Sequence, residues 1–166
     1  MTLIITFILG FLVAISSLVA QVFLSLMVEI FFHLKIPLHY DDSDTFIRII
    51  ILMLIVATIE EVLRYFIIKK QINSFIKKYY DNLLFGTAFG LGFGSFEILM
   101  ASMSHATILS SLTVMFIPVF IIHIFLSIFF LLFSDEDKSY IYNFIIIATA
   151  IIIHTAGNLI LFYIYT

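Results

Sequence analysis

The sequence predicts an all-α membrane protein, a single domain over residues 1–166 built as a bundle of about five transmembrane helices. Hydrophobic residues make up 63% of the 166 residues and charged residues only 11%, with a mean hydropathy of +1.23. Soluble domains are roughly 45–50% apolar and about 25% charged, and disordered chains are rich in charge, so both classes are excluded. Three segments, 1–28, 98–134 and 139–166, contain no Asp, Glu, Lys or Arg residue. Each exceeds the ~20 apolar residues that span a bilayer.

Polar and charged stretches divide the chain into five helices, at about 3–33, 47–68, 82–102, 108–133 and 140–165. The breaks between them are Pro37 with Asp41, Asp42 and Asp44, then residues 69–81, the Ser104–Thr107 turn and the acidic Ser134–Ser139 loop. The first segment lacks a basic n-region and a small-residue cleavage site, so we expect a retained helix and not a signal peptide.

Charge and cysteine content exclude further functions. The net charge is −3 without a long basic block, which argues against nucleic acid as a partner. The chain has no cysteine, and therefore no disulfide and no thiolate nucleophile. Because the whole chain is predicted to be one transmembrane domain, we expect any catalytic chemistry to occur inside the lipid bilayer that surrounds the helices.

Basic residues near helix ends predict the orientation, because they favour the cytoplasm. One side holds Lys69, Lys70, Lys77, Lys78 and Lys138, whereas the other side holds only Lys35 and Arg48. We expect the N-terminus inside and the C-terminus outside. The bias towards Ile, Phe, Lys and Tyr favours a prokaryotic cytoplasmic membrane.

Ionisable side chains within the helices are the candidate functional residues, because each costs some ~2.5–3.5 kcal/mol in hydrocarbon. At about 1.5 Å per residue, Glu60 lies about 12 Å from the cytoplasmic end of its helix, His123 about 15 Å, His154 about 21 Å and Glu97 about 22 Å. Four groups from four helices therefore share a slab roughly 10 Å thick. Glu29 lies roughly 40 Å along its helix, too far to join them.

Helix 2 carries Glu60, Glu61 and Arg64. Adjacent helical residues point about 100° apart, so only one glutamate is expected to face a given point squarely. Arg64 lies one turn from Glu60, and we expect it to compensate the charge of Glu60. The alternative is an interfacial ion pair that snorkels to water, although two adjacent acids exceed what one arginine needs.

Helix 3 contains Gly86, Gly90 and Gly94 at four-residue steps, followed by Glu97. This spacing is typical of a small-residue groove that lets helices approach closely, and it is a candidate contact for a homo-oligomer. Glu97 lies about 20° in rotation from Gly86 and therefore points into a helix interface. Packing alone accounts for the glycines, but it does not require a carboxylate.

Helices 4 and 5 each present a histidine one turn before a polar residue, as His123 with Ser127 and His154 with Asn158. A single buried histidine is more often structural, but two at the depth of the carboxylates favour a site. Carboxylates with neutral imidazoles can bind zinc and leave one position for water. Alternatively, a glutamate deprotonates water directly and Asn158 donates to the developing oxyanion.

Helix 1 has a polar stripe at four-residue steps, Ser17, Gln21, Ser25, Glu29 and His33. We expect this stripe to face the bundle and to be satisfied by interhelical hydrogen bonds, which is a structural role.

The ordered motifs resemble the CAAX protease and bacteriocin-processing (CPBP) superfamily of intramembrane proteases, many of which are described as metalloproteases. The motifs are Glu60-Glu61-x-x-Arg64, a glycine-rich helix ending in Phe96-Glu97, His123-x3-Ser127 and His154-x3-Asn158. A glutamate in the second motif, where CAAX endopeptidases have histidine, is more similar to the PrsW and YhfC branches. The resemblance covers residues 55–160, and the chain is shorter than most relatives.

The resemblance implies that Glu60 or Glu61 activates water for cleavage of a membrane or lipidated protein substrate. It also implies that Glu97, His123 and His154 line the site and that Asn158 polarises the substrate or supports a residue that does. Two mechanisms stay open, a zinc ion held by Glu97, His123 and His154 or a glutamate base. Two other functions stay open. A glutamate and histidine cluster also suits a metal- or proton-coupled transporter, and the glycine groove suits a non-catalytic membrane scaffold.

Overall fold

The computed structural model describes residues 3–32, 43–72, 79–104, 109–134 and 138–165. These residues form five α-helices and no strand, which confirms the predicted all-α fold class. The helices are α1 Leu3–Phe32, α2 Ser43–Ile67, α3 Tyr79–Ser104, α4 Leu109–Phe133 and α5 Tyr140–Tyr165. A π-helical turn, Ile68–Ile72, continues α2.

Three helices keep the predicted bounds to within one residue, whereas α2 and α3 are longer than expected. The second helix begins at Ser43 and not near 47, and the third begins at Tyr79 and not near 82. Both extensions lie outside the apolar runs on which the prediction relied. Helical hydrogen bonding continues there through polar residues, and Asp81 in the first turn of α3 suits the positive end of the helix dipole.

Several residues named in the sequence analysis lie outside the described part of the chain. They are Lys35, Pro37, Asp41, Asp42, Lys77, Lys78, residues 105–107 and residues 135–137, together with His33 and the side chains of Ser25, Glu29, Asp44 and Arg48.

Four helices are long and apolar enough to cross a membrane, and the protein is therefore an integral membrane protein. Their apolar stretches are Leu3–Leu24, Asp81–Met103, Phe116–Phe133 and Tyr140–Leu161. At 25 residues α2 is long enough as well, but its second half carries Glu60, Glu61 and Arg64. The sidedness of the N-terminus stays a prediction.

The five helices pack as a closed ring in the order α1, α3, α4, α5 and α2. Helix α3 packs extensively against both α1 and α4, while α2 packs against α5 and α1 and a smaller contact joins α4 to α5. Apolar side chains cover the outside, among them Phe144 and Ile152, which are 71% and 66% exposed. Polar side chains that point inward from different helices therefore meet inside the ring.

Glycines bring α3 close to both of its neighbours. A Cβ atom on Gly90 would lie 2.5 Å from the Ile124 Cα of α4, and one on Gly92 would run into the backbone carbonyl of Phe7 in α1. A Cβ atom on Gly86 would also meet the α4 backbone, 2.9 Å from the Ile128 Cα, whereas one on Gly94 would meet the Phe120 side chain of α4. Because these contacts fill the glycine face within one chain, a homo-oligomer would use another surface, and its existence stays a prediction.

We expect Gly90→Ala to destabilise the bundle by about 1–3 kcal/mol, because the added methyl group meets backbone atoms that cannot move aside. Gly157→Ala is the matched control, since its Cβ would lie 2.6 Å from the end of the Ile122 side chain, which can rotate away. Both substitutions gain about 1 kcal/mol of helix propensity. The free energy of unfolding of each variant is measured by reversible unfolding in detergent micelles. Equal stability of the two variants would contradict the tight α3–α4 contact.

Candidate functional site

Six polar side chains from four helices form one buried group, which we call the polar cluster: Glu60, Glu61 and Arg64 of α2, Glu97 of α3, His123 of α4 and His154 of α5. Five of these side chains are at most 7% exposed, and Glu97 is 30% exposed. The structure thus brings together the four groups that the sequence placed at similar depths on separate helices, namely Glu60, Glu97, His123 and His154. The cluster is shielded from solvent except on the side of Glu97.

Glu61 and Arg64 form a fully buried ion pair on α2. The Arg64 Nη1 atom lies 3.0 Å from Oε1 and 3.1 Å from Oε2 of Glu61, and neither side chain is exposed. The direct ion pair of Arg64 is with Glu61 and not with Glu60, the partner that we expected. Residues three and four apart are both neighbours on a helix, and Glu60 turns instead towards α1 and α5. Arg64 does not snorkel, because no part of its side chain reaches the surface of the bundle.

Arg64 also links α2 to α4 and lies over an aromatic ring of α3. Its Nη2 atom lies 2.7 Å from the His123 Nδ1 atom, and its guanidinium carbon lies 4.4 Å from the ring centroid of Phe93. The Phe93 ring also packs on the His123 ring, with centroids 4.7 Å apart. Sequence reasoning missed Phe93, because nothing in the pattern separates it from the other 19 phenylalanines.

His154 contacts both adjacent glutamates through its two ring nitrogens. Its Nδ1 atom lies 2.6 Å from Glu61 Oε1, and its Nε2 atom lies 3.4 Å from Glu60 Oε2. The 100° rotation between the two glutamates therefore directs them to opposite edges of one imidazole. A separation of 3.4 Å is longer than an ordinary N–H···O hydrogen bond, and Glu60 Oε2 has no hydrogen-bond partner within the described part of the chain.

Gln21 of α1 reaches the polar cluster, which sequence reasoning did not foresee. Its Nε2 atom donates a hydrogen bond to Glu60 Oε1 over 2.9 Å. The interhelical hydrogen bond expected of the polar stripe is therefore confirmed at Gln21, but it ends on a candidate catalytic carboxylate. Ser17, one turn earlier, instead donates to the carbonyl of Ala14 in its own helix.

Glu97 and His123 form a second carboxylate–imidazole contact, with 2.5 Å between Oε2 and Nε2. One ligand atom from each of Glu97, His123 and His154 lies within 4.8 Å of the other two, which is close enough to hold a metal ion. Both ring nitrogens of His123 are already engaged, one by Arg64 and the other by Glu97. The set therefore meets the distance requirement of a metal site but does not fit its donor chemistry, since a metal would have to displace one of these partners.

The polar residues one turn after each histidine lie apart from these contacts. Ser127 is buried and donates to the His123 backbone carbonyl over 2.6 Å, so it bonds within α4. Asn158 is half-buried on α5, and among the described residues no hydrogen bond joins it to the polar cluster. Its predicted role towards a substrate stays a prediction.

The polar cluster is suited to proton transfer. It holds three carboxylates and two imidazoles against one permanent cation, Arg64. A water molecule at about 2.8 Å from both Glu60 Oε2 and His154 Nε2 would satisfy the two atoms that face each other without a short bond. Buried carboxylates and imidazoles in such contact are the usual general acids and bases of enzymes.

Comparisons with known proteins add no family assignment. No protein-family model matches the chain, and neither a curated protein nor a solved structure matches it significantly. The geometry of the polar cluster and the order of its motifs are therefore the basis for a function.

We expect Arg64→Met to lower the free energy of unfolding by about 3–5 kcal/mol, because Glu61 would be left as a buried charge without its cation. The double variant Glu61→Gln/Arg64→Met should recover most of this loss, since both members of the ion pair are then removed together and Glu61 leaves no unpaired charge. Lys69→Met, which removes a cation bonded to the Tyr65 hydroxyl at the end of the same helix, should cost about 1 kcal/mol. Equal losses in Arg64→Met and Lys69→Met would contradict the buried ion pair.

Proposed function

We propose that the chain is an intramembrane endopeptidase that hydrolyses a peptide bond of a membrane-embedded or lipidated protein. One observation carries the proposal: Glu60 Oε2 and His154 Nε2 face each other at 3.4 Å inside an apolar bundle, and that carboxylate oxygen has no hydrogen-bond partner among the described residues. The order of the four motifs, which resembles that of the CPBP superfamily and its PrsW and YhfC branches, supports the same activity.

Glu60 is the proposed general base. As the water oxygen attacks the carbonyl carbon of the peptide, the Glu60 carboxylate takes one proton of the water. The proton then moves to the peptide nitrogen as the C–N bond breaks, so that one peptide yields a carboxylic acid and an amine and Glu60 returns to its ionised form. Gln21 holds the other oxygen of Glu60 and so keeps Oε2 directed at the water.

The remaining residues orient His154 and stabilise the tetrahedral intermediate. Glu61 holds His154 through Nδ1, which leaves Nε2 free to face the water. Asn158, one turn further along α5, is the proposed donor to the oxyanion of the tetrahedral intermediate. Glu97 and His123 line the rest of the polar cluster, next to His154.

The exposure of the polar cluster supports a substrate that arrives within the membrane. The bundle is apolar on its outside, and of the six clustered side chains Glu97 alone is substantially exposed. A polypeptide that is itself inserted in the bilayer would approach the cluster past Glu97 without crossing a water-filled cleft.

Water activation by zinc is the alternative mechanism. The proximity of ligand atoms on Glu97, His123 and His154 favours it, because three protein ligands with one open position are typical of catalytic zinc. The two contacts of His123 with Arg64 and Glu97 oppose it. We therefore propose the glutamate mechanism, in which no step requires a metal.

Metal-coupled transport is the second candidate function, favoured by the same proximity of ligand atoms. The permanent charge of Arg64 opposes it, because the guanidinium lies 2.7 Å from His123 and would repel a passing cation. Uptake of Zn²⁺ or Mn²⁺ into vesicles that contain the purified chain separates transport from hydrolysis.

Glu60→Gln should lower substrate cleavage by about 100-fold or more, the usual contribution of a general base. The variant keeps an oxygen that can accept the hydrogen bond of Gln21, so the fold should be preserved. Comparison of protein termini in membranes that express wild-type or variant protein measures the effect and identifies the substrate.

The matched control for this comparison is Thr149→Val, which removes a hydroxyl group bonded only to the Ile145 carbonyl of its own helix. It should leave all cut ends at wild-type abundance. Cut ends that persist in Glu60→Gln at an equal protein level would contradict the role of Glu60.

Removal of metal ions should leave the cleavage rate of the purified protein unchanged, because the proposed base is a carboxylate. The rate is measured on the identified substrate before and after dialysis against a strong chelator, with the metal content of each sample determined. A rate that falls on dialysis and returns with one added Zn²⁺ per chain would favour the zinc mechanism.

A further inference from the structure

We propose that Arg64 is a positioning residue that fixes the tautomer of His123, so that the two histidines of the polar cluster carry their protons on different ring nitrogens. His123 is then a hydrogen-bond donor through Nε2, and His154 is an acceptor through Nε2. This inference goes beyond the proposed function and holds whether or not the chain hydrolyses peptides.

The tautomer of His123 follows from the chemistry of arginine. A guanidinium group has five N–H donors and no acceptor, so the Nη2 atom at 2.7 Å can only donate to His123 Nδ1. The Nδ1 atom must then offer a lone pair. A neutral imidazole carries its one proton on the other nitrogen, and Nε2 accordingly donates to Glu97 Oε2 at 2.5 Å.

His154 has the opposite arrangement for a related reason. Its Nδ1 atom lies 2.6 Å from Glu61 Oε1, and the same carboxylate is paired with Arg64 through both of its oxygens. An ionised carboxylate can only accept, so Nδ1 of His154 carries the proton. The lone pair of neutral His154 is then on Nε2, the atom that faces Glu60 Oε2. One arginine thus acts on both histidines, directly on His123 and through Glu61 on His154.

The tautomer of His123 has a consequence for metal binding. A metal ion needs an unprotonated nitrogen from each histidine that binds it. His123 has none to offer while Arg64 is in place, so Arg64 keeps a metal out of a group of residues that otherwise has the required spacing.

The test is ¹⁵N NMR of the histidine rings in the full-length protein in lipid nanodiscs near neutral pH. A His33→Gln/His39→Gln/His105→Gln background leaves two histidines, and His123→Gln assigns their signals. Couplings of the ring carbon protons to each nitrogen identify which nitrogen is protonated. We expect a proton on Nε2 alone in His123 and on Nδ1 alone in His154.

Two variants separate the effect of Arg64 from that of Glu97. Glu97→Gln should leave the His123 tautomer unchanged. Glu61→Gln/Arg64→Met removes the ion pair without leaving the charge of either partner unpaired. An ionised Glu97 would still accept from Nε2 in this double variant, so the effect of Arg64 is measured in the background Glu97→Gln, whose amide can either accept from or donate to Nε2. There the removal of the ion pair should convert His123 to a mixture of tautomers. The amide that the double variant carries at position 61 can likewise accept from or donate to Nδ1, so His154 should also lose its fixed tautomer. Added Zn²⁺ should shift the His123 signals in this double variant and leave them in place with Arg64 present.

Three results would overturn the proposal. The first is a proton on Nδ1 of His123, alone or together with Nε2, in the protein that retains Arg64. The second is a His123 tautomer that becomes mixed in Glu97→Gln alone, which would assign the selection to Glu97, or one that stays pure when the ion pair is removed in that background. The third is a shift of the His123 signals by Zn²⁺ in the presence of Arg64.

Discussion

The buried ion pair between Glu61 and Arg64 is the interaction on which the rest of the polar cluster depends. A guanidinium group enclosed in an apolar bundle is costly unless its N–H groups bond within the protein, and no part of the Arg64 side chain is exposed. Glu61 and His123 bond the two Nη atoms, whereas the buried Nε atom has no hydrogen-bond partner among the described residues. The same Glu61 carboxylate also holds His154. One charged pair on α2 therefore fixes the positions of α4 and α5, and with them the orientation of both imidazole rings.

Close packing of α3 against its neighbours is the second constraint. Helices in a bilayer gain little from the hydrophobic effect when they associate, and they depend on van der Waals contact and interhelical hydrogen bonds. Gly90 and Gly92 provide such contact on two faces of α3, one towards α4 and the other towards α1. Because α3 lies against α4, Glu97 reaches His123. Because α1 also belongs to the ring, Gln21 can reach Glu60.

The sequence was sufficient to predict five helices and the four groups that converge, because hydropathy sets the helices and residue count sets depth. It did not predict the contacts between individual atoms. Arg64 pairs with Glu61 and not with Glu60 because side-chain rotamers, which spacing leaves open, choose between neighbours three and four residues away. Gln21 belongs to a polar stripe whose four-residue spacing does not single it out, and the aromatic partner of Arg64 is one of 20 phenylalanines. These two contacts depend on how each whole helix is rotated about its axis, which the spacing of residues within one helix does not define.

The most direct test of this account is the distance between the Glu61 carboxyl carbon and the His154 Nδ1 atom, measured by solid-state NMR dipolar recoupling. The sample is the protein in lipid bilayers with ¹³C-labelled glutamate and ¹⁵N-labelled histidine. We predict a strong dipolar coupling between the Glu61 carboxyl ¹³C and the His154 ¹⁵Nδ1, since the carboxylate oxygen lies 2.6 Å from Nδ1. This coupling should disappear in His154→Gln and persist in the control Thr149→Val. Absence of the coupling in the wild-type protein would contradict a cluster organised around Glu61 and Arg64.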